Sequence, residues 1–514
     1  MNENVVTGKP KRSLHPATAF ILLSIVTIIV SAIASFFDMQ ATYTRINPIT
    51  NELELYVVTV TSLLNRTSLR YMLSEAIKNF ISFAPLVMTS LFLIALGVLE
   101  KSGLLKTIIS KLTTKVDKTV ITFLLFFFGI LLNVFMETAY VILIPISAII
   151  FLINGRSPLV GTIVGFSAVA FGFSINALIT SMDISLTYYT NLAARIIDNS
   201  YRMGLFFDVF VMILGMLLLA WLGTYITEKI IVRKVGKYAF EEEKVEHVSE
   251  HKRRGFIFAS IVFVILILLY TYMFIPNLPF SGLLLDNSET DYIKQLFGSN
   301  SYFKDSIPFL LSMLLIIVGI VYGISAKTFS SDEDIVIAMG SYMKLFGEIV
   351  IMVFFASQFI AYFRKTNIGT ILTLWGAQLI KNSNFSGIPL IILTVLVIVI
   401  INLFSTSTLT KWMYMSPILV PTLMQHNITP EFSQTIMKAS DSITNGITPL
   451  LAYFVIYLVF LNYYHQNKKQ PITITKAISY TLPYTIVYGI LWIVILVSWY
   501  IIGLPIGPGV YPSI

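Results

Sequence analysis

The sequence predicts an all-α polytopic membrane protein: about nine transmembrane helices plus two re-entrant helical hairpins, arranged as an inverted repeat with broken helices. Three observations carry that class. Of 514 residues, 56% are hydrophobic and only 12% are charged, whereas a soluble chain carries roughly 25% charged residues. Several apolar runs reach the ~20 residues that cross a bilayer. Two longer apolar runs have polar centres, and each is followed by a spanning-length run broken by glycine, proline or aspartate. In hydrocarbon an unsatisfied backbone group costs several kcal/mol, so non-helical backbone is tolerated only around an enclosed cavity.

The formal charge of +8 fits lysine and arginine concentrated in cytoplasmic loops, so it gives no ground for a nucleic-acid partner. The chain has no cysteine, which excludes disulfides and thiolate metal sites. Lys9, Lys11 and Arg12 precede an apolar run from about Ala17 to Phe37 without a small-residue cleavage site. Residues 1–16 therefore read as a cytoplasmic tail and the run as a retained first helix of an inner (plasma) membrane protein.

The first membrane repeat is expected over 17–224. Residues 38 to 77 are mixed and polar, and a second helix follows at about Phe80 to Leu99. A lysine-rich cytoplasmic loop comes next (Lys101, Lys106, Lys111, Lys115, Lys118). Residues 119–154 are too long for one span and short for two, with Asn133, Glu137 and Thr138 at the centre, which fits a hairpin. The run 158–190 is broken by Gly165, Gly172, Ser174, Asn176, Thr180 and Asp183, and helix 4 closes the repeat at about Leu205 to Thr224. A charged loop, 225–256, should be cytoplasmic. The second repeat, 257–463, holds helices 5 to 7, a hairpin at 387–424 and a broken helix at 431–463. Residues 464–514 supply a cytoplasmic loop, the final helix and an external tail.

The polar centre of the second half is unusually dense. NLFSTSTLTK places Asn402, Ser405, Thr406, Ser407, Thr408, Thr410 and Lys411 within ten residues, and DSITNGITP adds Asp441, Asn445, Gly446 and Pro449. An odd number of crossings separates the two hairpins, so they enter from opposite sides. Inverted repeats with discontinuous helices meeting at the midplane characterise secondary transporters.

The chain also resembles the p-aminobenzoyl-glutamate transporter (AbgT) family along nearly its whole length. The matching stretches include NFISFAPLVMTSLFLIALGVLEKSGLL, AYVILIPISAIIFLINGRSPL, GFSINALITSMD, NLFSTSTLTKW and ITPEFSQTIMKASDSITNGITPLLAYF. The resemblance implies a homodimer, with a transport core inside a helical scaffold. It also implies ion-coupled movement of p-aminobenzoyl-glutamate or sulfonamide-like antimetabolites. It carries functional roles onto Asp183, Trp412, Pro430, Asp441 and Pro449. Three positions depart: Leu409 stands for a serine, Lys438 for an arginine and Glu137 for an aspartate. Lysine keeps the charge but loses the planar fork that grips a carboxylate.

From residue chemistry, Asn133, Ser174, Asn176, Ser407, Thr408 and Asn445 can supply oxygens or amides to a substrate, with Lys438 as its counter-charge. Glu137, Thr138, Asp183, Asp441 and Thr444 are candidates for ion coupling, since ionisable groups at membrane depth are functional candidates by default. Sodium could sit near Asn133, Asn176, Asn402 and Asn445; the coupling ion is H⁺ or Na⁺, and no cofactor is expected. Lys438 and Asp441, spaced i, i+3, are expected on one helix face, with an internal salt bridge as the plainer alternative. Glu137 could instead cap its hairpin, and Trp412 could be core packing rather than an aromatic platform. The chain lacks HExxH, GxSxG and Walker motifs, which weighs against an enzyme or a primary pump. A passive channel remains the third hypothesis.

Overall fold

The computed structural model describes residues 14–46, 53–175, 178–240, 250–298 and 300–514. Among them, eight helices are long and apolar enough to cross a membrane: Pro16–Phe36, Ala84–Ser102, Lys118–Phe135, Val209–Val235, His251–Tyr272, Tyr302–Ser325, Asp332–Lys365 and Ile474–Ile502. Four shorter apolar helices, Thr138–Ile153, Pro158–Gly172, Gly387–Asn402 and Phe454–Tyr464, lie among them. The expected helical membrane protein is what the chain forms.

Among the described residues, the one sheet lies in the stretch read as mixed and polar. Gln40–Ile46 and Leu53–Thr59 pair antiparallel, with Gln40 opposite Thr59. Buried Tyr43 meets Tyr414 edge-on at 5.0 Å, so the ribbon is pinned to the second hairpin.

Each interruption in the first half has a local cause. Asp117 caps Lys118–Leu131 by accepting the Thr119 N–H at 2.7 Å, and that N–H holds the exposed Asp117 carboxyl below its ordinary range. The helix tightens to a 3₁₀ turn at Leu132–Phe135 and reverses at Met136, whose φ is 53°. Thr138–Ile153 then runs back. Pro158–Gly172 follows with every residue buried, as expected of a helix that is apolar all round. After the break, Ser181–Ala194 starts at a capping box in which Thr180 and Asp183 bond each other's backbone N–H.

Small residues set how closely these helices approach. A Cβ on Gly161 would lie 2.4 Å from the Ser147 carbonyl oxygen and 2.8 Å from Ala148 Cα. One on Gly165 would lie 2.7 Å from the Leu143 carbonyl oxygen. Gly161 and Gly165, four apart, thus let Pro158–Gly172 touch the backbone of Thr138–Ile153, the small-xxx-small mode of membrane helix packing.

The second half has corresponding parts. Gly387–Asn402 and Thr408–Gln425 flank a tip at 403–407. Pro430–Asp441 follows, opened by the Thr429 cap with Pro430 in its first turn. It tightens to a 3₁₀ stretch at Ser442–Ile447 and resumes as Phe454–Tyr464. The two broken helices pack on each other: the Phe166 and Tyr457 rings stack at 4.1 Å, and a Cβ on Gly446 would lie 2.4 Å from the Phe171 ring.

At one end of the bundle Arg156, just past the first hairpin, reaches Val209–Val235 where that helix loosens into a π turn, Thr227–Ile231. Its guanidinium donates to Glu228 at 2.6 Å and to Thr122 at 2.8 Å, tying the hairpin base to a long spanning helix.

Candidate functional site

Two buried ionic clusters and one cavity lie where the hairpins and broken helices converge. The first cluster forms because Asn402 ends one arm of the second hairpin, Thr408 and Lys411 begin the other, and Asp441 ends the helix that leads into the 3₁₀ stretch. The Lys411 ammonium contacts Asp441 Oδ1 and Asn402 Oδ1, and Thr408 donates its hydroxyl to Asp441 Oδ2. Asn402 Nδ2 donates to the Asp441 carbonyl at 2.6 Å, Thr444 Oγ1 at 3.0 Å and Asn445 Oδ1 at 2.9 Å. Lys411 and Asp441 are both 0% exposed. Their charges cancel within a shell of amide and hydroxyl groups, which is how paired buried charge survives desolvation.

The same region joins the two halves. Asn445 Nδ2 donates to the Ala170 carbonyl at 3.2 Å, and the Ser174 N–H donates to Ser442 Oγ at 3.1 Å. Asn133 Nδ2 donates to the Val169 carbonyl at 3.3 Å. Asn133 Oδ1 and Ser174 Oγ are buried with no hydrogen-bond partner. Asn176 lies outside the described residues.

The second cluster centres on Lys438. Its ammonium lies 2.8 Å from Asp183 Oδ1 and 2.7 Å from Asp208 Oδ2. Asp183 Oδ2 also accepts the Thr180 N–H at 2.9 Å and the Thr180 hydroxyl at 2.7 Å.

Lys438 and Asp441 share a helix as expected, but the internal salt bridge offered as the plainer alternative does not form between them. Helix Pro430–Asp441 ends at Asp441 and tightens there. The two side chains then meet different elements: Lys438 meets Asp183 and Asp208, and Asp441 meets Lys411 and Thr408. Asp208 was missed outright: it fell near the start of the helix expected at about Leu205 to Thr224 and was not singled out, whereas the helix begins at Val209 with Asp208 at its cap position. Lys411 was seen only as one polar residue among several.

Trp412 is fully buried and donates its indole N–H to Thr190 at 2.8 Å; Thr190 in turn donates to Gln434 at 2.5 Å. That favours packing over an open aromatic platform in this conformation. Ser407 is exposed and caps Thr408–Gln425 through the Thr410 N–H. Pro449 is half-buried just past the 3₁₀ stretch.

Glu137 does not act as a hydrogen-bonding cap, since no side-chain cap bond forms at the start of Thr138–Ile153. It lines a cavity of about 380 Å³ together with Thr138, Met136, Ser181, Lys304 and Leu409. That volume is in the range of small-molecule pockets. The first hairpin's tip meets Leu409, in the first turn of the second hairpin's returning helix, there, which places the Leu409 departure at a cavity wall.

The family model described as the AbgT putative transporter family matches residues 6–514. The p-aminobenzoyl-glutamate transport protein of Escherichia coli (strain K12) is 29% identical over 501 residues, 97% of this chain and 94% of that protein. The Alcanivorax borkumensis YdaH transporter, whose crystal structure is described as having an unusual topology, is 28% identical, covering 96% of this chain and 100% of that one, at a TM-score of 0.49. Neisseria gonorrhoeae MtrF, described as illuminating a class of antimetabolite efflux pumps, is 32% identical with 97% of each chain covered, at a TM-score of 0.48.

Proposed function

The chain belongs to the AbgT transporter family, and on that basis we propose that it is an ion-coupled secondary transporter. It moves p-aminobenzoyl-glutamate or related sulfonamide-like compounds across the inner membrane by alternating access, with the hairpins and broken helices as the moving core. We count nine spanning helices, two of them the broken ones, and two re-entrant hairpins entering from opposite sides, with the N-terminus cytoplasmic and the protein a homodimer. The observation that carries the reading is that the second hairpin and both broken helices contribute to buried, charge-bearing clusters, while the first hairpin tip lines a cavity with residues of the second hairpin and the first broken helix. Burying charge that deep has little structural return, and intramembrane ionisable groups mark substrate and ion pathways. The unpartnered oxygens of Asn133 and Ser174 leave room for Na⁺ as the coupling ion beside H⁺.

The test uses purified protein in proteoliposomes, with labelled p-aminobenzoyl-glutamate and, separately, a sulfonamide. Proton and sodium gradients are imposed in turn. Gradient-driven flux is expected in the wild type and is expected to vanish with Asp441→Asn, which removes the charge balancing Lys411. Flux that ignores every gradient would instead establish a passive channel.

A second reading, coupled transport of a different organic anion, is favoured by one observation. Lys438 is already held by two carboxylates, so a substrate carboxylate reaching it has to displace one of them. Leu409→Ser tests specificity at the cavity wall. Restoring a hydroxyl there is expected to lower KM for p-aminobenzoyl-glutamate by about fivefold, the worth of one hydrogen bond of roughly 1 kcal/mol. An unchanged KM would remove Leu409 from the substrate's path.

A further inference from the structure

The buried charges do not sum to zero. Lys411 and Asp441 cancel, but Lys438 faces two carboxylates, Asp183 and Asp208. One positive and two negative charges leave a net charge of −1. All three side chains are less than a tenth exposed. Such a site neutralises itself rather than keep an uncompensated buried charge.

The two aspartates are not equivalent. Asp183 Oδ1 receives Lys438, and its Oδ2 receives two further donors from Thr180. Asp183 therefore carries three donors in all. Asp208 Oδ2 receives Lys438. Although Asp208 stands at the cap position of Val209–Ile226, its side chain makes no cap bond, and it borders a small pocket whose apolar wall includes Leu205, Phe206 and Val209. The N-terminus of that helix favours an anion at Asp208, but a charge-assisted hydrogen bond is the larger effect, and Asp183 has two that Asp208 lacks.

We propose that Asp208 carries the exchangeable proton of this transporter. The inference rests on the ion-coupled reading above and assigns its coupling group. A proton from water adds to a carboxylate oxygen of Asp208, giving the neutral acid and a triad of net charge zero. Its return to water on the opposite side restores −1. The charged groups facing Asp208 are Lys438, from Pro430–Asp441, and Asp183, from Ser181–Ala194. Glu431, on the same helix as Lys438, is a further buried carboxylate; it accepts the Tyr201 hydroxyl at 2.6 Å and takes no part in the triad. Asp441 has its own lysine.

The experiment is infrared difference spectroscopy of the full-length protein in lipid nanodiscs, titrated in pH. Wild type is expected to show a protonated-carboxyl stretch that titrates. Asp208→Asn should remove it, and Asp208→Glu should shift its frequency; Asp183→Glu, Asp441→Asn and Glu431→Gln should leave its frequency unchanged. A band that survives Asp208→Asn, or that moves with Asp183→Glu or vanishes with Glu431→Gln, overturns the assignment, as does the absence of any such band in wild type. Size-exclusion profiles confirm that each variant is folded. A second arm follows p-aminobenzoyl-glutamate in proteoliposomes: Asp208→Asn should keep exchange of labelled for unlabelled compound while losing the response to a pH gradient. Equal loss of both would overturn the assignment. If wild type moves no compound, the transport reading fails on substrate, and the infrared arm still decides where the proton sits.

Discussion

Replacing Lys411 with methionine is expected to destabilise the protein by about 3–5 kcal/mol, because it strips the counter-charge from a carboxylate that water cannot reach. Asp441 loses its ionic partner, Asn402 Oδ1 loses its donor, and only the Thr408 hydroxyl remains on the carboxylate. The double variant Lys411→Met/Asp441→Leu should recover more than half of the loss, since replacing a whole buried ion pair by apolar groups is often neutral, whereas halving it is not. Denaturation in mixed micelles, followed by tryptophan fluorescence, gives the comparison. If Lys411→Met unfolds at the wild-type midpoint, the pair is not balancing charge at all. If the double variant is as unstable as the single, the shell of amides and hydroxyls matters more than the charges.

Gly161→Ile should also be damaging, for a different reason. Its Cβ alone would lie 2.4 Å from a backbone oxygen of the neighbouring helix, and backbone cannot rotate away as a side chain can. Overpacking of this kind costs about 1–3 kcal/mol and sometimes more, and here it pries the first hairpin from the first broken helix. Gly204→Ala is the control, because nothing lies within 4 Å of a Cβ there. The expected result is a lowered unfolding midpoint for Gly161→Ile and an unchanged one for Gly204→Ala. Equal midpoints for the two would mean that the helices are not in backbone contact.

The architecture was legible because membrane burial writes it into composition. Long apolar runs, and polar residues where apolarity should continue, mark the places where backbone must be satisfied by something other than lipid. The residues around Met136, 403–407 and Ser442–Ile447 could be placed on that ground alone. The β-ribbon was not, although LELYVVT is rich in strand-forming residues, because an exposed two-stranded ribbon leaves only a few alternating positions. The membership of each ionic cluster was also out of reach. Asp208 and Lys438 are 230 positions apart, and Trp412 and Thr190 are 222 apart. Spacing along one helix pointed instead to Lys438 with Asp441, near neighbours whose partners come from other elements: Asp183 and Asp208 for the lysine, Lys411 for the aspartate.

The unequal count of charges around Lys438 has an electrical consequence. With its proton aboard, the triad is neutral, and moving it through the membrane does no work against the membrane potential. Without the proton it carries one negative charge, and an elementary charge crossing the full field gains or loses about 2.3 kcal/mol per 100 mV. On the assignment proposed for Asp208, voltage therefore acts on whichever crossing the unprotonated triad makes, while the pH difference acts on its protonation, so the two components of the proton-motive force press on different steps of the cycle.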